Sequence, residues 1–204
     1  MERRRLAGHV QSLWTIAILA ILLTRAAVSG QRTPIGPFDG HEDVGSPKIS
    51  GSATYNAVSQ ELALAAGGVN MWAQRDEFQF VWKRMTGDFI LQARVRFLGQ
   101  GTEPHRKAGW MVRPSHDDDA PYVDGVVHGD GLTSLQFRRA KGAITAQTEL
   151  AVKDPDVIQL ERKGDTYIFS AAKYGDPFTA AQISDVSLGD DPVEDRVFAV
   201  ELVG

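Results

Sequence analysis

Residues 89–97 read Phe-Ile-Leu-Gln-Ala-Arg-Val-Arg-Phe, and this stretch decides the fold class of the chain. Successive side chains of a β-strand point to opposite faces of the sheet. Alternation therefore places only apolar side chains on one face, whereas Gln92, Arg94 and Arg96 lie on the other face with Ile90. The pattern predicts an antiparallel strand that is buried on one side.

The same two-residue period continues on both sides of that strand. Turn signals rich in Gly and Asp separate the candidate strands, and the Gly164-Asp165 pair is typical of a tight hairpin. No sustained helical period follows residue 30. The sequence therefore predicts an all-β antiparallel sandwich. Its other candidate strands are residues 48–55, 78–83, 108–113, 122–128, 132–139, 144–149, 157–163, 167–174 and 182–188.

The first thirty residues have the order of a secretory signal peptide. Arginines at positions 3–5 precede an apolar stretch at 13–23, and small residues follow up to Gly30. The apolar stretch is shorter than the roughly 20 residues that cross a bilayer, and an uncleaved membrane anchor is the alternative. We predict a signal peptide at 1–30, a secreted or periplasmic protein, and no membrane span after cleavage.

Two further segments complete the predicted organisation. Residues 31–47 are rich in Gly and Pro and form a leader, with one short edge strand around residues 38–44. Residues 48–204 form one β-sandwich domain, because a segment of this length supports a single hydrophobic core.

Charge and cysteine content exclude several classes of function. The chain has 22 basic and 26 acidic residues, and loss of residues 1–30 would remove four arginines but one glutamate. An acidic domain is repelled by phosphates, so nucleic acid is not a predicted partner. The absence of cysteine from the sequence excludes disulfides, cysteine nucleophiles and thiolate metal sites.

Four stretches carry a resemblance to a known family. They are residues 68–72 (Gly-Val-Asn-Met-Trp), 76–80 (Asp-Glu-Phe-Gln-Phe), 87–89 (Gly-Asp-Phe) and 107–113 (Lys-Ala-Gly-Trp-Met-Val-Arg). With them the chain resembles bacterial concanavalin A-like domains, which are jelly-roll, laminin G-like sandwiches. The resemblance implies a secreted module of the kind fused to glycoside hydrolases or placed before a TolB-like β-propeller. It implies binding of carbohydrate or of a partner, and it supplies no catalytic residues.

The chain departs from this family after residues 188–190. A strand of the form Val-Tyr-Val-Gly-Leu would be expected there, but residues 191–195 read Asp-Pro-Val-Glu-Asp. A last strand is predicted at 196–203. One strand near the C-terminus is therefore predicted to be missing from the jelly roll.

Trp72 is the residue best placed to contact a ligand. A flat aromatic ring can pack against the apolar face of a pyranose while polar neighbours bond its hydroxyl groups. Asn70, Arg75 and Asp76 lie beside Trp72 in a connection between strands, and His128 lies at a turn. We predict these five residues as ligand-binding candidates.

Other aromatic and basic residues favour structural roles. Trp82 and Trp110 lie on apolar strand faces, so they are predicted to fill the core. Several arginines are predicted on the solvent side, paired with the excess of acidic groups, although they could also bind an anionic polymer. These arginines are Arg94, Arg96, Arg113, Arg138 and Arg139.

Two acidic groups offer metal or acid–base chemistry. Asp76 and Glu77 could bind a cation or exchange protons; alternatively, Asp76 accepts hydrogen bonds from loop amides while Glu77 faces water. The aspartates at 117–119 and Asp124 could hold Ca²⁺ through oxygen ligands, and a solvated loop is the alternative. Beyond this Ca²⁺ option we predict no cofactor and no metal site, since no histidine has zinc-binding spacing.

Three functions remain open. The first is a noncatalytic module that binds carbohydrate or a cell-envelope partner. The second is a structural or vestigial accessory domain without a ligand. The third is a glycoside hydrolase, which needs two carboxylates about 5–9.5 Å apart. The sequence lacks the Glu-x-Asp-x-x-Glu string of jelly-roll glucanases, so we predict that the chain is not an enzyme.

Overall fold

The structure, a computed structural model, describes residues 33–99, 101, 103–189 and 197–199. In this part of the chain every regular element is a β-strand, and the strands pair antiparallel, which confirms the all-β antiparallel prediction. The predicted signal peptide at 1–30 lies outside the described residues. Among the described residues, no helix has the length and apolar character needed to cross a bilayer.

The described residues form fifteen strands, which agree in most places with the two-residue periodicity of the sequence. They are β1 (Gly40–Val44), β2 (Ile49–Asn56), β3 (Glu61–Gly67), β4 (Met71–Trp72), β5 (Arg75–Asp76), β6 (Phe78–Trp82), β7 (Phe89–Arg94), β8 (Lys107–Arg113), β9 (Tyr122–His128), β10 (Thr133–Arg138), β11 (Ala146–Glu149), β12 (Val157–Lys163), β13 (Thr166–Ala172), β14 (Thr179–Ile183) and β15 (Val197–Ala199).

Two larger sheets organise these strands. One sheet has the order β11-β10-β9-β8-β15, and the other has the order β14-β13-β12-β7. The sheets face each other, since β12 and β13 contact β9. Leu160 and Phe169 of one sheet share a buried apolar cluster with Val123 and Leu135 of the other. Two facing antiparallel sheets around one apolar layer form a sandwich-like arrangement.

Gly125 sets how closely the two sheets approach. It lies in β9, opposite Trp110 of β8. A Cβ atom at this position would lie 2.0 Å from Cδ2 of Phe169, which belongs to β13 in the facing sheet. The Phe169 ring therefore packs directly on the backbone of β9.

The second face of the five-stranded sheet is covered by strands β1, β4 and β6, which we call the N-terminal layer. Because both faces are covered, β8 and β9 are buried along their whole length. The cluster between this layer and the sheet consists of Val44, Met71, Phe78, Phe80, Trp82, Met111, Tyr122 and Val126.

The N-terminal layer overturns one prediction about the arginines. The predicted solvent-side position is wrong for Arg113 and Arg138, because both side chains are fully buried. Alternation does place them on the face away from the sandwich core, but the N-terminal layer covers that face in place of water. Arg94, Arg96 and Arg139 are exposed, as predicted.

The predicted core tryptophans are confirmed, since Trp82 and Trp110 are both buried. The short edge strand predicted around residues 38–44 corresponds to β1, which pairs with β6. The strand predicted at 182–188 is wrong, because β14 ends at Ile183 and the following Val186 and Leu188 pack into the core cluster.

The two-residue periodicity did not predict three short or alanine-rich strands, β3, β4 and β5. β3 reads Glu-Leu-Ala-Leu-Ala-Ala-Gly, and alanine and glycine have low strand propensity. At the C-terminus, β15 pairs with β8. Residues 190–196 and 200–204, where the missing strand and most of the last strand were predicted, lie outside the described residues.

Candidate functional site

A tight turn between β4 and β5 displays Trp72. The register pairs Met71 with Asp76 and Trp72 with Arg75. Met71 and Asp76 therefore share the buried face of this small ribbon, whereas Trp72 and Arg75 share its exposed face. Trp72 retains 37% of its accessible surface.

Ala73 holds this turn in an unusual backbone conformation. Its φ angle is +54°, in the left-handed region that costs a non-glycine residue about 1–2 kcal/mol. The strain is offset by hydrogen bonds to the Ala73 carbonyl, which accepts from Nη2 of Arg138 at 3.1 Å and from the Thr145 amide at 3.2 Å. Arg138 of the five-stranded sheet and the Thr145 amide thus fix the turn that contains Trp72.

Asp76 forms a buried ion-pair cluster beneath the turn. Arg138 donates two hydrogen bonds to its carboxylate, at 2.8 Å and 2.7 Å, and Nη2 of Arg113 lies 3.4 Å from Oδ2. All three side chains are fully buried. Burial raises the pKa of Asp76, and the hydrogen bonds from Arg138 oppose that rise.

Asp76 therefore needs a correction as a ligand-binding candidate. Its carboxylate has no accessible surface, so it cannot contact a ligand. It accepts hydrogen bonds from the guanidinium group of Arg138 in place of the loop amides that were the alternative. Its own amide donates to the carbonyl of Asp118 at 2.7 Å. The residue anchors the Trp72 turn to the sheet.

A cavity of about 190 Å³, here called the inner cavity, lies on one side of Trp72. It brings together three of the predicted candidates, Asn70, Trp72 and His128, from separate parts of the sequence. It also contains residues that the sequence did not single out. Its full lining is Asn70, Trp72, His105, Lys107, His128, Leu132, Gln136 and Gln147.

Lys107 forms the buried floor of the inner cavity. Only 2% of the residue is exposed, and its Nζ donates to Oδ1 of Asn70 at 2.9 Å and to Oε1 of Gln136 at 3.2 Å. The ammonium also lies 5.5 Å from the centroid of the Trp72 ring, within cation–π range. These contacts fix the orientation of Asn70, Trp72 and Gln136 together.

The amide groups of the cavity form a fixed chain. Nε2 of Gln136 donates to Oε1 of Gln147 at 3.0 Å and to Oγ of Ser134 at 3.2 Å. Because both partners of Gln136 are held by the sheet, its orientation does not depend on a ligand. Polar groups that are already positioned lose less entropy when a ligand binds.

His128 is a neutral group at the edge of this cavity. Burial lowers the pKa of His128 to about 4. Its Nδ1 lies 3.0 Å from the carbonyl oxygen of Leu132, so Nδ1 carries the proton and donates, and Nε2 is an acceptor. The ring of His105 meets the His128 ring edge to face at 6.2 Å.

The predicted Ca²⁺ ligands are not gathered around one point. Asp117 and Asp119 both pair with Lys141, and Asp118 pairs with Arg75 at 3.3 Å. Among the described residues, no group of three or more His, Asp or Glu side chains is placed to hold a metal ion.

Asp124 instead lies fully buried in β9, where burial raises its pKa well above the ordinary range. Neither carboxyl oxygen has a hydrogen-bond partner among the described residues.

A second, larger concavity of about 720 Å³, here called the outer depression, shares Asn70 and Trp72 with the inner cavity. Arg75, another predicted candidate, lines this depression, and its side chain is 77% exposed. The remaining lining residues are Val69, Ala73, Gln74, Glu77, Asp119 and Gly142.

Comparison of the chain with protein-family models, with curated proteins and with solved structures finds no match. The function of this site must therefore be inferred from its own geometry. Sequence reasoning missed Lys107, Gln136 and Gln147, because polar residues at strand positions are equally typical of a solvent-facing sheet surface. The sequence also does not reveal the conformation of the β4–β5 turn, which places Trp72 next to these residues.

Proposed function

We propose that this chain is a noncatalytic binding module whose ligand is a carbohydrate. The observation that carries the proposal is the placement of a partly exposed Trp72 ring between two concavities. The inner one is lined mainly by amide, imidazole and basic side chains, and the outer one adds Gln74 and Arg75. An aromatic ring offers the apolar C–H face of a pyranose a packing surface. The amides offer donors and acceptors to its hydroxyl groups.

The composition of the inner cavity favours binding over hydrolysis. Glycoside hydrolysis needs a pair of carboxyl groups across the scissile bond, and the residues lining the inner cavity include none. The outer depression contains two carboxyl groups, Glu77 and Asp119, and Asp119 is already paired with Lys141 at 3.2 Å. These features support a module that holds its ligand without cleaving it.

We also propose that the sandwich is a concanavalin A-like jelly roll and that the protein is secreted or periplasmic. The motifs at 68–72, 76–80, 87–89 and 107–113 support the fold, since each lies in or beside a strand. The signal-peptide pattern at 1–30 supports export. A carbohydrate of the cell envelope or its surroundings is then the ligand class that the protein would meet.

The proposal predicts that Trp72→Ala weakens glycan binding strongly without unfolding the protein. A glycan array of defined oligosaccharides, probed with the purified full-length chain, should show retention on one glycan class. Loss of an aromatic anchor costs about 2 kcal/mol or more, so the affinity should fall roughly thirtyfold. Calorimetric titration with the retained glycan gives the number.

Tyr174→Ala is the matched control. Tyr174 is an exposed aromatic residue with an arginine over its ring, as Trp72 has a lysine, but it does not line either concavity. Its variant should bind like the parent chain. If no glycan is retained, or if both variants lose affinity equally, the carbohydrate proposal fails and the structural accessory role becomes the better account.

A further inference from the structure

The two concavities beside Trp72 differ in size in a way that bears on the length of the ligand. The inner cavity has a volume of about 190 Å³. That is the scale of a single pyranose ring. It is smaller than the roughly 300–1,000 Å³ typical of sites for larger ligands.

The outer depression, at about 720 Å³, falls within that larger range. It is lined by exposed groups, including Gln74 and Arg75, and it begins at the same Asn70 and Trp72 that close the inner cavity. The two concavities therefore adjoin at Asn70 and Trp72.

We propose that the site takes an oligosaccharide of at least two residues, with one residue in the inner cavity and the next beyond Trp72 in the outer depression. This inference rests on the proposed function and adds to it the minimum length of the ligand. The shared Trp72 then contacts the chain near the linkage between the two residues.

The two halves of such a site contribute differently to binding. In the inner cavity, Lys107, Gln136 and Gln147 are held by mutual hydrogen bonds, so the wall that would face one ring is already fixed. In the outer depression, Arg75 has an exposed guanidinium whose ion pair with Asp118 spans 3.3 Å. An exposed pair of this kind contributes little to folding, so Arg75 is free to exchange partners.

The test is a set of oligosaccharide ladders of one to six residues, from the cello-, xylo-, manno- and galacturono-series. Each ladder is titrated calorimetrically into the full-length chain. In the series that binds, the affinity should rise about tenfold or more from one residue to two. It should change little beyond the length that fills both concavities.

Two variants assign the gain to the two halves. Arg75→Ala should weaken the longer ligands about fivefold and leave the monosaccharide unaffected, whereas Gln147→Ala should weaken both. Arg96→Ala is the control for Arg75, since it too removes an exposed arginine from an ion pair, here with Glu61 at 3.6 Å. Gln92→Ala is the control for Gln147, because Gln92 also bonds a second glutamine, Gln159.

A monosaccharide that binds as tightly as the hexamer would overturn this inference and leave the proposed function standing. So would an Arg75→Ala variant that weakens every length equally. If neither the glycan array nor any ladder shows binding, both the inference and the proposed function are overturned.

Discussion

Asp76 is the residue on which the position of Trp72 depends. Its carboxylate neutralises part of the charge of two buried guanidinium groups, Arg113 and Arg138. Arg138 also bonds the carbonyl of Ala73, so the same side chain fixes both ends of the short turn. The turn keeps its strained conformation because these bonds are made inside the protein, where water does not compete.

Asp76→Asn should therefore be strongly destabilising. The change leaves two buried guanidinium groups without their carboxylate, and breaking a buried ion pair by removing one partner costs about 3–5 kcal/mol. Urea unfolding of the full-length chain measures this loss.

Asp118→Asn is the control for that experiment. Asp118 forms an exposed ion pair with Arg75, and such pairs contribute about 0–1 kcal/mol. Equal and small losses in the two variants would contradict the anchoring role of Asp76.

His128 links the site to the pH dependence of stability. Burial lowers the pKa of His128 to about 4, whereas an unfolded histidine titrates near 6.5. The unfolded chain therefore binds a proton between pH 6.5 and 4 that the folded chain does not. As the pH falls from 6.5 to 4, this group should therefore lower the free energy of unfolding by about 3 kcal/mol.

His128→Asn should remove that contribution, because the asparagine amide can donate to the Leu132 carbonyl and does not titrate. Chemical unfolding at pH 7, 6, 5 and 4 gives the comparison. The variant should lose less stability than the parent as the pH falls. Parallel pH profiles of the two proteins would show that His128 does not titrate as described.

At the scale of elements, the strand pattern of β7 could be predicted, and the environment of β8 and β9 could not. β7 packs one face on the core and leaves the other to solvent, so its alternation is visible in the sequence. β8 and β9 are covered on both faces, and their second face contains buried polar residues such as Lys107, Arg113 and Asp124. Because these polar side chains also satisfy a solvated pattern, the sequence alone suggested water where the structure has the N-terminal layer.

The approach of the two sheets depends on Gly125. In Gly125→Ala, the added Cβ would lie 2.0 Å from the Phe169 ring unless the sheets separate. Overpacking of this kind costs about 1–3 kcal/mol, although alanine is otherwise the better strand residue. Thermal unfolding should show a lower Tm for the variant.

Phe169→Leu provides the second half of that test. A smaller side chain in β13 makes room for the added Cβ. The double variant should therefore lose less stability than the sum of the losses in the two single variants. Additive losses, or an unchanged Tm in Gly125→Ala, would contradict direct packing of Phe169 on β9.

At the scale of the whole molecule, the fold class could be predicted from the sequence, whereas the arrangement of the site could not. The all-β class followed from local periodicity, because a single covered face leaves a mark every second residue. The site did not, because Trp72, Lys107 and His128 lie in different segments and meet only through the pairing of β8 with β9 and the placement of β4. The sequence identified Trp72 and His128 as separate candidates and could not place them in one cavity.

The central claim, that Trp72 is the side chain that meets a glycan, is tested most directly by its indole N–H resonance. The full-length chain, labelled with ¹⁵N, is titrated with the glycan retained on the array, and the tryptophan signals are assigned by single Trp→Phe variants. The Trp72 signal should shift in proportion to binding, while those of the buried Trp82 and Trp110 stay in place. A Trp72 signal that does not move at saturation would contradict the account.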